Sequence, residues 1–355
     1  MAPTAQELAE ARRARLACTS ISVAAVGDLM LGTDFPQPRL PDDDGRSQLA
    51  AAVPVLSGAD IAFGNLEGVL MDGGEPEKKC KNPSACYLFR SPTRFAQTFA
   101  AAGFDVMSLA NNHAFDFGEA GRSSTMRALD SAGIRHSGRQ GDIASWQVGD
   151  VRVAMIAFAP FKRSWPMLDP ELATNTVQRL AADHDLVIVS VHGGGEGTDA
   201  EHLRFSTEWY YGENRGDVVK FAHSMIDAGA DLVFGHGPHV PRALEQYRGR
   251  LIAYSLGNFA TWWGISIAGS KGYAPLLVVQ TDGNGRLLSG QLHSFIQRRP
   301  EGPRPDPQQH AARMIRSLTD SELSGGALRF DDSGSFHPAT GTPAACGTAR
   351  SPARY

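Results

Sequence analysis

The segment "SLANNHAFDFGEAG", residues 108–121, begins where the run Phe104-Asp105-Val106-Met107 ends. Two asparagines and a histidine are poor residues for continuing an apolar core. They suit a strand end that must coordinate a metal or donate a proton. Taken alone, Asn-Asn-His is a polar turn, with asparagine there for its tolerance of unusual backbone angles. The rest of the chain decides between the two.

Working outward, short apolar runs recur, and most end in a polar or glycine cluster. Ile21–Val26 precedes "GDLMLG", Ile61–Phe63 precedes "GNLEG", and Val151–Phe158 precedes "APFKRS". Leu186–Val191 precedes "HGGGEG", Leu232–Phe234 precedes "GHGPH", and Leu251–Tyr254 precedes "SLGNF". Runs without polar alternation read as strands covered on both faces. Helical patterns over 91–103, 121–133 and 216–229 each end in glycine, the usual C-terminal stop. Strand–helix alternation predicts an α/β layered fold. Residues 280–295 read as an antiparallel hairpin around Asp282–Gly285, and 308–319 as a helix. The organisation expected is an N-terminal extension over 1–20, one domain over 21–300, and a helix and edge segment over 301–338. Residues 339–355 have the composition of a disordered tail.

Composition sets outer bounds. The 355 residues are 42% hydrophobic and 20% charged, ordinary for a globular chain. A formal charge of −4 offers no footprint for nucleic acid or an anionic membrane. No apolar run approaches the roughly 18–20 residues of a membrane helix, and the Arg-bearing N-terminus lacks the apolar stretch of a signal peptide. As it stands the chain reads as cytoplasmic, or extracytoplasmic if a leader has been removed. The four cysteines, Cys18, Cys80, Cys86 and Cys346, form no C-x-x-C. A local Cys80–Cys86 bond is conceivable, but in a cytosolic protein free thiols are expected.

The polar residues gather at the C-terminal ends of the expected strands, the edge where ligands bind in open α/β sheets. In order they are Asp28, Asn65 with Glu67, Asn112 with His113, His192, and His236 with His239. Singly, each has a plain explanation: Gly27-Asp28 as an Asx turn, "GNLEG" as a loop, the histidines as caps or turn residues. Together, carboxylates, amide oxygens and imidazoles at the ends of separate strands make a metal-site inventory. Oxygen mixed with imidazole suits Mn²⁺, Fe²⁺ or Zn²⁺ better than Ca²⁺.

The ordered set "VGDLMLG", "GNLEG", "LANNHAFDFGEAG", "SVHGGGEG" and "AGADLVFGHGPHVPRALEQYRGRLIAYSLGNFA" resembles the CapA-type poly-γ-glutamate capsule biosynthesis family. That family is related to the calcineurin-like metallophosphoesterases. The likeness runs from about Val23 to Phe259. It implies a four-layer α/β/β/α sandwich with two divalent metal ions at one edge. By motif, Asp28 would bind the first ion, Glu67 would bridge, and Asn112, His192 and His236 would hold the second, with His239 returning to the first. His113 would donate a proton to the leaving group, oriented by Asp116. Asn65, Asn258 and Arg242 are candidates for contacting substrate.

The chain departs from the family pattern at four places. Met30 stands where related phosphoesterases carry a ligating histidine, and Glu67 replaces a shorter bridging aspartate. Gly237 intervenes where many relatives read His-Pro-His. In addition, Gly193 replaces a common tryptophan, which implies a more open pocket. Three functions fit: a metal-dependent hydrolase of a γ-glutamyl or related amide, a phosphoesterase on the same site, or a non-catalytic assembly factor that binds metal or polyglutamate. The expected partner is a small or polymeric anionic substrate. Segments 70–90, 160–177, 197–215 and 261–273 are expected to decide which.

Overall fold

The computed structural model describes residues 4–79, 86–323 and 327–339. Its centre is a pair of facing sheets. In the first, the strands run in the order Leu328–Phe330, Ser335–Pro338, Leu287–Arg298, Tyr273–Asp282, Ser20–Met30, Ile61–Leu66, Val106–Ser108 and Arg135–Ser137. Asn258–Thr261 pairs in parallel with Ser20–Met30 beyond the point where Tyr273–Asp282 leaves it. In the second sheet the order is Leu244–Tyr247, Arg250–Ala253, Leu232–His236, Leu186–His192, Val151–Ala159 and Ala144–Val148. The apolar runs of the sequence are its central strands, and Leu186–His192 is buried along its whole length.

Between the sheets, Val23, Ala25, Ile61 and Phe63 meet Val153, Met155, Ile188 and Phe234. The rings of Phe63 and Phe234 stack across this interface at 5.3 Å. Each such side chain contributes about 1.5–3 kcal/mol by leaving water. The outer face of the first sheet, through Val26, Ala62 and Met107, packs with Phe99 of helix Phe95–Ala101 and Leu129 of helix Gly118–Ser131. The outer face of the second, through Ile156, Val189 and Val233, packs with Val177 of helix Pro170–Asp183 and Met225 of helix Val218–Asp227. The arrangement is therefore helix, sheet, sheet, helix, the four-layer sandwich that the resemblance implied.

Several elements add to the sequence reading. Helix Pro170–Asp183 begins within the segment 160–177 expected to decide the substrate and was not among the expected helices. Its start was legible, because Asp169 accepts from Leu172 N and proline takes the first helical position. The 301–338 segment is built into the first sheet: Ser335–Pro338 pairs with Leu287–Arg298, and helix His310–Glu322 buries Ile315 in the inter-sheet core. Leu16, at the end of helix Ala5–Leu16, enters the same core, and Arg12 of that helix pairs with Asp185. Cys18 and Cys86 are both disulfide-bonded, not the free thiols expected of a cytosolic protein. Cys80 and the 340–355 part of the expected tail lie outside the described residues. No helix among the described residues is long and apolar enough to cross a membrane.

Candidate metal centre

Parallel strands in both sheets bring their C-terminal ends to a shared edge, and strand register sets the first contacts. Asp28 is level with Asn65 on the neighbouring strand and with Asn258 on the other side. In the second sheet His192 is level with His236. Gly27 makes room for this: a Cβ there would fall 2.0 Å from the Gly257 carbonyl oxygen, so only glycine lets the two backbones approach and Asp28 N donate to that oxygen at 2.9 Å.

Asp28 is fully buried. Asn65 Nδ2 donates to its Oδ1 at 2.8 Å, and His239 Nδ1 lies 2.9 Å from its Oδ2. His236 Nδ1 stands 3.4 Å from Oδ1. Burial pushes the Asp28 carboxyl up, but the neighbouring imidazoles of His236 and His239 outweigh it and hold it well below the usual carboxylate range. Glu67 is the opposite case. It is fully buried, neither carboxylate oxygen has a hydrogen-bond partner, and burial raises its pKa well above normal. His239 Nε2 lies 3.7 Å from Glu67 Oε1. One ligand atom from each of Asp28, Glu67 and His239 lies within 4.8 Å of the other two. Burial holds His192 neutral, the form that ligates. Burial also lowers His239, but Glu67 and Asp28 outweigh it and raise it to about 10.

Among the described residues, six of the fifteen buried side-chain atoms without a hydrogen-bond partner belong to four of the expected ligands, the others being scattered over residues such as Gln48 and Thr281. The six are both Glu67 oxygens, Asn112 Oδ1, His192 Nε2 and both ring nitrogens of His236. Each such group costs free energy when buried alone, and in native folds nearly all are paired. A divalent cation would give such atoms a partner, and among the described residues the group with ligand atoms close enough to hold one is Asp28, Glu67 and His239, whose carboxylates and imidazole fit it.

The loop after His236 turns sharply. Gly237 has φ 111°, and a Cβ there would meet the Gly193 carbonyl at 2.8 Å. His239 itself sits in the left-handed region at φ 60°, a strained state for histidine. Asn258 holds it there: its Nδ2 donates to His239 O at 3.2 Å, and its Oδ1 lies 2.9 Å from His239 Nδ1.

His113 is placed by "NNH" itself. Asn111, which the sequence reading quoted but gave no role, donates to Asn65 Oδ1 at 3.2 Å and to Leu66 O at 2.8 Å. Its own Oδ1 accepts from His113 N at 3.1 Å. The Asn112 side-chain oxygen is then left for another partner. His113 Nδ1 lies 2.7 Å from Oδ2 of fully buried Asp116, and the Phe89 ring covers the imidazole at 4.3 Å. Burial lowers the His113 pKa below its ordinary value, against the pull of Asp116. Lys78, also missed, pairs with Asp116 Oδ1 at 2.9 Å and donates to Asn112 O at 3.1 Å. Glu196 was legible four residues after His192. Its Oε2 is 3.9 Å from His239 Nε2, and its Oε1 accepts from Arg215 at 2.8 Å.

Three expected substrate residues face inward. Arg242 is fully buried, forked onto Glu208 at 2.9 and 2.7 Å and donating to Ala200 O at 2.6 Å, so its donors are consumed inside the protein. Asn65 and Asn258 are fully buried and position Asp28 and His239. The pocket is not opened at Gly193, because a Cβ there would meet Met167 Sδ and the Arg215 carbonyl, each at 2.9 Å. Met30 packs in a dry cluster with Phe89 and Ile265.

A two-sheet sandwich with buried oxygen and imidazole donors at one edge is the frame of a metal centre. The chain belongs to the bacterial capsule synthesis protein family PGA_cap, whose model matches residues 22–261. It is 30% identical over 276 residues to a "Probable polyglutamine synthesis accessory protein" of Mycobacterium tuberculosis, covering 68% of this chain and 67% of that one. With the "PGA biosynthesis protein CapA" of Bacillus subtilis it shares 27% identity over 257 residues, 67% of this chain and 63% of that one. A solved 5′-nucleotidase precursor from Thermus thermophilus is 13% identical with TM-score 0.44, covering 84% of this chain and 58% of the other. That likeness is too distant to add to the family assignment. The chain thus spans less than two thirds of the CapA protein and of the nucleotidase.

Proposed function

We propose that the protein is a metal-dependent hydrolase acting on a γ-glutamyl or related amide bond. The observation that carries this reading is the set of buried, partnerless ligand atoms of Glu67, Asn112, His192 and His236 beside Asp28 and His239. These six residues would hold two divalent ions, with Mn, Fe or Zn suited to the mixed donors. When bound, such ions polarise an acyl or phosphoryl oxygen and lower the pKa of water.

The chain's own residues do the rest. Asp116 accepts from His113 Nδ1, which leaves Nε2 as the ring atom that takes or gives a proton. Burial makes the His113 imidazolium a stronger acid than free histidine, so it gives up its proton more readily to a departing nitrogen or oxygen. Phe89 shields the imidazole from water on one side. Lys78 holds Asp116 ionised and ties the Asn112 backbone to it.

The bonded cysteines support an oxidising compartment, which agrees with the capsule synthesis role of the family. A non-catalytic assembly role has one observation in its favour, the apolar packing of Met30 where related enzymes carry a ligand. Screening γ-glutamyl amides against phosphoesters with the metal-loaded protein separates the readings. Amide turnover that is lost in His113→Asn is expected. Phosphoester turnover alone moves the assignment to a phosphoesterase, and no turnover with metal bound moves it to assembly.

A further inference from the structure

Trp263 is 42% exposed, a large aromatic side chain left in solvent beside the site. The guanidinium groups of Arg39 and Arg299 lie 4.9 and 5.6 Å from the centre of its ring. Neither arginine has a carboxylate partner among the described residues, unlike Arg242, Arg215 and Arg90. Trp262, Trp263, Arg299 and Pro300 line a cavity of about 250 Å³. Unpaired, partly covered guanidinium groups favour an anion, and the planar fork matches a carboxylate.

Contacts link this cluster to the candidate centre. Trp263 follows the end of strand Asn258–Thr261 by two residues. Trp262 N donates to Met30 O at 2.9 Å. Met30 packs with Phe89 and Ile265, and Arg299 donates to Ile265 O. A Cβ at Gly264 would fall 2.6 Å from the Phe89 ring, whose centre is 4.3 Å from that of His113. The surface cluster and the proton-bearing histidine are therefore separated by a single apolar layer.

We propose that Arg39, Trp263 and Arg299 form a subsite for a distant segment of a carboxylate-bearing polymer whose reacting bond lies at the metal centre. The inference rests on the amide-hydrolase reading above. The two guanidinium groups take carboxylates of neighbouring repeats, and the indole on which both are stacked holds them in place. Charge complementarity selects a polyanion, and the Phe89 layer between cluster and centre selects one long enough to reach both.

The test is binding of fluorescently labelled poly-γ-glutamate to the full chain in chelator, so that no chemistry consumes it, with polylysine as charge control. Wild-type protein is expected to bind poly-γ-glutamate but not polylysine, with affinity falling as salt rises. Arg39→Ala with Arg299→Ala is expected to weaken binding about tenfold or more, and Trp263→Ala severalfold. The melting temperature and the turnover of a short γ-glutamyl amide are expected to stay unchanged. Equal affinity in the double variant overturns the subsite and leaves the hydrolase reading intact. Turnover of a short amide without polymer binding does the same. Polymer binding that the double variant loses, in a protein that cleaves no amide, supports the subsite and overturns the hydrolase reading. Phosphoester turnover with no polymer binding overturns both.

Discussion

Nδ1 of His239 lies 2.9 Å from Oδ2 of Asp28 and 2.9 Å from Oδ1 of Asn258. This contact joins a loop of the second sheet to a strand end of the first, so the centre is assembled only when the sheets are packed. It also fixes the imidazole plane and leaves Nε2 toward Glu67. Asn258→Ala removes that acceptor and the donor holding His239 at positive φ. We expect metal affinity to fall about 10–100-fold, read from metal-binding isotherms, with the fold retained by circular dichroism.

Asp116 touches His113 and is shielded from solvent, so its effect on chemistry runs through that imidazole. Asp116→Asn is expected to lower kcat by about 10²-fold with metal content unchanged. It should also move the pH dependence of kcat, because the group that raises the His113 pKa is lost. A variant that loses metal and activity together would instead make Asp116 part of the metal frame.

Arg242 gives a prediction about stability, not substrate. Arg242→Met strands Glu208 as a buried, unpaired charge, and we expect a loss of about 3–5 kcal/mol in denaturant unfolding. The KM of the folded fraction is expected to stay at the wild-type value. A raised KM with unchanged stability would return Arg242 to the substrate site.

The strand ends were legible because each stops an apolar run with a residue that apolar packing does not explain, as Asp28, His192 and His236 do. Asn111 was visible in "NNH", yet its role depends on Asn65, 46 positions earlier. The partner of Arg242 was not legible, because Glu208 lies 34 residues away, on strand Glu208–Tyr210. The packing of Met167 against Gly193 is likewise a tertiary contact with no local pattern. Local periodicity reports which face is buried, and says nothing of which charge a buried arginine will find.

His136 supplies a pH test away from the centre. Its Nδ1 lies 2.8 Å from Asp142 Oδ2 and its Nε2 3.2 Å from Asp130 Oδ1. Burial lowers its pKa, but the two carboxylates outweigh this and raise it above the ordinary 6.5. The folded state therefore binds the proton more tightly than the unfolded chain. The stabilisation is complete below about pH 6.5 and is lost as pH rises through the raised value. Asp142→Asn is expected to cost about 1–2 kcal/mol at pH 6 and distinctly less at pH 9, measured by chemical denaturation at both values.

The central claim is that the partnerless buried atoms of Glu67, Asn112, His192 and His236 are metal ligands. Elemental analysis of the purified protein beside Asn112→Ala and His113→Ala tests it most directly. We predict about two equivalents of Mn, Fe or Zn in the wild type, fewer in Asn112→Ala, and wild-type content in His113→Ala. No metal in the wild type under several loading conditions, with no change in melting temperature on adding chelator, would contradict it.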